Sequence, residues 1–197
     1  MSPRSSKQIN DIRKQKTELI METALELFAE NGFHATSMSQ IAKKAGISKG
    51  LTYNYFESKK EILDALIQHG FDTIYESIDI NKDGILTKDE FIHFIKSNFK
   101  VVRENLEHWK LFFSLMLQPK IAESFTSEYK MKGEPFFRMM YGFILSQGSK
   151  DPEGDLMAIS AMIEGAFLYY VAAPDIFPTD VLEEKVINAC FRIINNC

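Results

Sequence analysis

The chain has 197 residues, of which 45% are hydrophobic and 25% charged, and a formal net charge of −4. That length buries a sizeable core, and the composition is ordinary for a soluble, intracellular protein without repeats or low-complexity tracts. Its two cysteines, Cys190 and Cys197, give neither zinc spacing nor a disulfide framework, so free thiols are expected. The most apolar stretch, residues 156–173, is interrupted by Glu164 and followed by Pro174, which excludes a membrane span and predicts a buried or interface helix.

Residues 1–7, M-S-P-R-S-S-K, are too polar for a signal peptide and read as a solvated tail or a basic arm. A first helix follows, with Ile20, Ala24, Leu27 and Phe28 on one face and Asn31-Gly32 at its end. Ser37 with Gln40 forms a capping-box pattern for a second helix whose inner side is Ile41, Ala42 and Ala45. Gly46 supplies the positive φ that ends it, Ile47 fills the angle, and Ser48 caps a third helix. There Leu51 and Phe56 are expected inward, leaving Lys49, Gly50, Thr52, Tyr53, Asn54 and Tyr55 outside.

Two short helices about a glycine turn, the second polar, basic and tyrosine-bearing, make a helix-turn-helix suited to a DNA major groove. Lys49 and Lys59 are expected to neutralise phosphates. The hydroxyls of Tyr53 and Tyr55, with Thr36 or Ser37, would bond phosphate oxygens, and Gly50 would admit close backbone approach. Asn54, Lys49 and Thr52 are the expected base readers. Ser58 with Glu61 then opens a helix through Ile62, Leu63, Leu66 and Ile67. Charge follows the same division: ten basic against six acidic residues through Lys60, and thirteen against twenty-one after it.

This arrangement resembles the DNA-binding domain of the TetR family of bacterial transcription regulators. The matching positions include Ala24, Leu27, Phe28, Gly32, Thr36, Ser37, Ile41, Ala42, Ala45, Gly46, Ser48, Gly50, Tyr53, Tyr55, Phe56, Ser58, Lys59 and Leu63. The resemblance covers roughly the first third of the chain. It implies an all-α fold, with a three-helix DNA-binding domain over residues 1–60 and a helical effector-binding and dimerisation domain over residues 61–197. It further implies a cytoplasmic homodimer on a palindromic operator, probed by a small effector and needing no cofactor. By position, Thr36, Lys49, Gly50, Tyr53, Asn54, Tyr55 and Lys59 correspond to the family's DNA contacts. Thr52 departs from the pattern, which usually has an apolar residue before the tyrosine.

Residues 79–90, D-I-N-K-D-G-I-L-T-K-D-E, resemble the calcium loop of an EF-hand. Asp79, Asn81 and Asp83 would supply side-chain oxygens, Ile85 its carbonyl, Thr87 a direct or water-bridged oxygen, and Glu90 a bidentate carboxylate, with Gly84 at the sharp turn. Phe71, Ile74 and Ile78 before it and Phe91, Phe94 and Ile95 after it have helical spacing. A metal-free connector with Thr87 and Glu90 as a capping box satisfies the same residues.

Beyond this, helices are expected over residues 90–103, 108–117, 152–172 and 179–195, with Pro119, Gly133-Glu134-Pro135 and residues 146–155 as interruptions. An aromatic and methionine-rich helix lies between them. A candidate effector cavity is placed among Trp109, Phe113, Met116, Phe137, Tyr141, Met162 and Tyr169, with Glu164 and Tyr169 as polar handles. Ile159, Met162, Ile163, Ala166 and Tyr170, with Val181, Val186, Ile187, Cys190 and Ile194, are the expected dimer faces. The histidines His34, His69, His93 and His108 form no local metal pair, and no phosphate loop or nucleophile motif is present, so an enzyme is not expected. The expected function is a DNA-binding regulator, a repressor released by a largely apolar ligand with calcium as a further input. The alternative is a calcium sensor of EF-hand type in which DNA binding is secondary.

Overall fold

A computed structural model describes residues 6–118 and 121–195. Most of the expected N-terminal arm, together with Pro119 and Cys197, lies outside the described residues. The fold is all-α, as expected, and the described residues form α1 (Ser6–Asn31), α2 (Met38–Lys44), α3 (Lys49–Tyr53), α4 (Lys59–Tyr75), α5 (Lys88–Glu104), α6 (Leu106–Met116), α7 (Ala122–Ser146), α8 (Pro152–Ala172) and α9 (Thr179–Ile194). They divide into two compact units, one of residues 1–70 with 114–125, the other of residues 71–113 with 126–197.

The first unit is built around Ile20, Ala24, Leu25 and Phe28 of α1, Ile41 of α2 and Ile62, Leu63, Leu66 and Ile67 of α4, all nearly or wholly buried. Leu115 and Ile121, from the returning segment, are buried as well. In the second unit α5, α8 and α9 pack on one another. Phe91, Ile95, Phe99 and Val102 on α5 recur at helical spacing and are fully buried. Phe91 stacks on Phe143 at 5.0 Å and meets Phe191 edge-on at 5.7 Å, while Phe99 lies 4.8 Å from Phe167.

Two expectations are corrected. The segment around Gly133-Glu134-Pro135 does not interrupt a helix, because Pro135 lies inside α7. A proline there forfeits one backbone bond, a cost that burial of Phe136, Met140, Phe143 and Ile144 on the same helix outweighs. The residues expected to meet a second subunit are largely core: Ile159, Ile163, Ala166, Tyr170, Val186, Cys190 and Ile194 are buried within the chain. An α8 that is apolar on nearly every side offers no periodicity from which to tell its inner face from its outer one. The outer face carries Met157, Ala158, Ala161, Glu164, Leu168 and Tyr169. Burial pushes the Cys190 thiol up to about 12, so it is an inert core residue.

Candidate nucleic-acid interface

The helix-turn-helix forms from the local signals. Ser37 accepts a hydrogen bond from the Gln40 amide and the Gln40 side chain reaches back to the Ser37 amide, a complete capping box. At the other end of α2, Gly46 has φ 66°. Its amide donates to Lys43 O and that of Ile47 to Ala42 O at 3.0 Å, the paired bonds of a Schellman motif. Ser48 Oγ then accepts from the Leu51 amide and starts α3, which is only five residues long. Ser58 and Glu61 open α4 in the same way, Glu61 N–H donating to Ser58 Oγ at 3.2 Å and the Glu61 carboxylate accepting from the Glu57 amide.

The outward face of α3 carries Lys49, Gly50, Tyr53 and Asn54, all exposed, with Tyr55 half-buried beside them. Lys49 Nζ stands 5.9 Å from the Tyr53 ring. A methyl group added at Gly50 would meet nothing within 4 Å, so no packing in the chain demands glycine there. Ser37 is also exposed, at the N-terminus of α2.

Three of the expected DNA contacts turn inward instead. Thr52 is fully buried, its hydroxyl donating to Ser48 O at 3.2 Å, so its methyl cannot reach a base. It takes the place of an apolar residue by satisfying its own hydroxyl. Thr36 is 2% exposed, its hydroxyl donating to Gly32 O at 3.0 Å and lying 3.1 Å from Leu27 O. Lys59 donates to three backbone carbonyls, Phe33 O at 2.7 Å, Thr36 O at 2.8 Å and His34 O at 2.9 Å, and stands 4.8 Å from the Phe33 ring. All three ammonium protons are thereby used within the protein. Lys44 is turned to α1, 2.8 Å from Glu26 and 3.6 Å from Glu30. The hydrogen bond that Lys44 donates to Glu26 raises its pKa above the ordinary lysine value against the lowering effect of burial.

The loop at residues 79–90 closes on itself. Asp79 accepts from the Asp83 amide at 3.2 Å and the Gly84 amide at 2.9 Å, and Asp83 Oδ1 accepts from the Ile85 amide at 2.8 Å. Asn81 bridges the same residues, accepting from the Asp83 amide and donating to Asp83 Oδ2 at 3.0 Å. Lys82 and Gly84 take left-handed φ of 60° and 76°. Thr87 and Glu90 form a complete capping box for α5. The Thr87 hydroxyl and amide, and then the Ile80 and Asn81 amides, hold the Glu90 carboxyl below its ordinary range. Among the described residues no group of three or more His, Cys, Asp and Glu side chains is placed to hold a metal ion.

The residues assigned to an effector cavity are spread through the chain. Phe137 and Tyr141 line an open groove of about 700 Å³ in the second unit with Lys130, Glu134, Arg138, Glu153 and Leu156. Trp109 and Phe113 belong to an aromatic cluster with His108 and Phe112. Tyr169 is exposed and stacks on Phe177 at 5.0 Å, while Met116 belongs to the first unit. The groove's charged rim, Lys130, Glu134, Arg138 and Glu153, was not anticipated, because charges at helical spacing read as a solvated face.

Residues 20–66 match the family described as bacterial regulatory proteins, tetR family. Over these residues the chain is similar to the DNA-binding domain of that family. The chain is 36% identical over 106 residues to an uncharacterized HTH-type transcriptional regulator, YuxN of Bacillus subtilis, covering 53% of this chain and 35% of that protein. It is 31% identical over 91 residues to the fatty acid metabolism regulator protein of the same organism, covering 46% of this chain and 47% of that one. The matched length is thus less than half of either relative. The structure of the regulator FadR from B. subtilis, in complex with stearoyl-CoA, superposes with a TM-score of 0.66 over 88% of this chain and 96% of that one, at 20% identity, which shows a shared fold. The matched family and these relatives are transcription regulators, not enzymes. The helix-turn-helix described above lies wholly inside the TetR-family match.

Proposed function

We propose that the chain is a transcriptional repressor of the TetR type, working in the cytoplasm as a homodimer on a palindromic operator and released by a small, largely apolar effector. One observation carries this: α3 presents Lys49, Gly50, Tyr53 and Asn54 to solvent while Thr52 and Phe56 anchor it inside. An amide at Asn54 matches the adenine edge, Lys49 suits guanine or phosphate, and Tyr53, Tyr55 and Ser37 suit phosphate oxygens. Thr36, Thr52 and Lys59 support that face from within. The effector class follows by analogy with the stearoyl-CoA-bound relative, and the groove of Phe137 and Tyr141 is the proposed seat.

The test is binding to duplexes selected from a random library. Asn54→Ala is expected to cost about 1–3 kcal/mol and to relax base preference at one position of each half-site. Lys49→Ala is expected to weaken all sequences alike and to lower the salt slope by about 1 per subunit. A long-chain acyl-CoA is expected to release the wild-type protein. Selection that recovers no sequence would sink the proposal.

Calcium is the second proposed input. The left-handed backbone at Lys82 and Gly84 and the interlinked Asp79, Asn81 and Asp83 favour it, with Ile85, Thr87 and Glu90 as the remaining oxygens. Binding would exchange the internal bonds of these carboxylates for bonds to the ion. Titration with calcium, followed calorimetrically, is expected to saturate in the wild type and to weaken at least tenfold in Glu90→Gln, as loss of a bidentate ligand requires. Equal calcium affinity in both proteins removes the loop from the mechanism. Calcium binding without any selected duplex would favour the sensor reading instead.

A further inference from the structure

The link between α1 and α2, residues 32–37, has no regular structure of its own, yet it sets where α2 begins and hence where α3 is carried. Two side chains remote in sequence hold it. One is Lys59. The other is Gln118, whose Nε2 donates to Phe28 O at 2.7 Å and whose Oε1 accepts from the Phe33 amide at 3.2 Å.

Phe28 O lies in the last turn of α1 and already accepts from the Gly32 amide at 3.0 Å. Gln118 fills its second lone pair and caps the Phe33 amide, so one carboxamide serves both an acceptor and a donor at the helix end. That complement is selective, since among side chains of this length only a carboxamide or a protonated carboxyl both donates and accepts in one plane. Gln118 lies within the first compact unit, in the segment that rejoins it at Ser114, directly after α6.

We propose that Gln118 is a positioning residue for DNA reading, which locks the α1–α2 corner so that α3 is presented in one orientation, without touching DNA itself. This rests on the reading of α3 as the DNA-binding element. Lys59 holds the same corner through Phe33 O, His34 O and Thr36 O, so the two locks share Phe33, one at its amide and one at its carbonyl.

The experiment compares full-length wild type, Gln118→Leu and Gln118→Glu on a duplex selected by the wild type, against a scrambled duplex, at pH 8 and pH 5. Gln118→Leu is expected to bind the selected duplex about tenfold more weakly with its affinity for scrambled DNA and its salt slope unchanged. Gln118→Glu is expected to show a similar loss at pH 8, where a carboxylate opposes Phe28 O. Facing a carbonyl oxygen raises this carboxyl above the ordinary glutamate value of about 4.3, so at pH 5 a fraction is protonated and regains both bonds, and the deficit relative to wild type narrows. The ratio to wild type cancels every other titrating group in the unit, including those around Lys59. Equal binding by Gln118→Leu and wild type overturns the proposal, as does a Gln118→Glu deficit that is the same at both pH values. If Gln118→Leu fails to fold, the pH-dependent recovery of Gln118→Glu still decides. A wild type that selects no duplex fails the underlying reading before any variant is compared.

Discussion

Lys59→Met is expected to lower the thermal midpoint by several degrees and to abolish selective DNA binding at temperatures where the rest of the chain remains helical. The substitution keeps the aliphatic stem and removes the ammonium that three carbonyls share. A hydrogen bond to a charged group contributes about 1.5–3 kcal/mol, and leaving partly buried acceptors unmatched adds to the loss. The three bonds are not additive, and the site is half-open to water, so a total of about 2–3 kcal/mol is expected. The cation over the Phe33 ring adds about 0.5–1 kcal/mol. A lysine that only touched phosphate would behave otherwise: stability would be unchanged and the salt slope alone would fall. Circular-dichroism melts beside salt-dependent binding curves separate the two outcomes.

The contrast between Lys59 and Lys49 marks what could be read from the amino-acid order. Local signals were legible where the partner lies a few residues away: the Ser37–Gln40 box, positive φ at Gly46, the Ser48 cap and the Thr87–Glu90 box all formed as their spacing indicated. Partners distant in sequence were not. Nothing near Lys59 announces that Phe33, His34 and Thr36 will offer carbonyls, and nothing near Gln118 points to a helix end 90 residues earlier. Thr52 misled for a related reason. A threonine reads as polar and outward until its hydroxyl finds a carbonyl one turn back, at Ser48. Pro135 was read as a break because local backbone cost was weighed without the aromatic burial that offsets it. In α8 the difficulty was excess, since a helix apolar on most sides has two candidate interfaces and the chain's own core takes one of them.

The remaining face of α8 leads to the second large effect. Ala161→Glu is expected to leave the protomer folded, to shift it from dimer to monomer in sedimentation, and to weaken binding of a two-half-site duplex by about 100-fold or more. Ala161 is exposed, and glutamate is a good helix former, so the single chain loses almost nothing. Its neighbours on that face include Met157 at 64% exposure and Leu168 at 40%, apolar area that a second copy would remove from water. A new carboxylate in the middle of that contact would have to be desolvated without a partner. Glu164 already stands on the same face, and desolvation holds its carboxyl above the ordinary range. A second copy would raise it further, so the dimer binds more protons than the monomers and association takes up protons. The dimer is then strongest below the monomer pKa and weakens as pH rises through that of the dimer. Glu164→Gln, neutral throughout, is expected to flatten this slope while keeping the dimer. A pH-independent dimer constant in the wild type, or an unweakened dimer in Ala161→Glu, would place the subunit contact elsewhere than on α8.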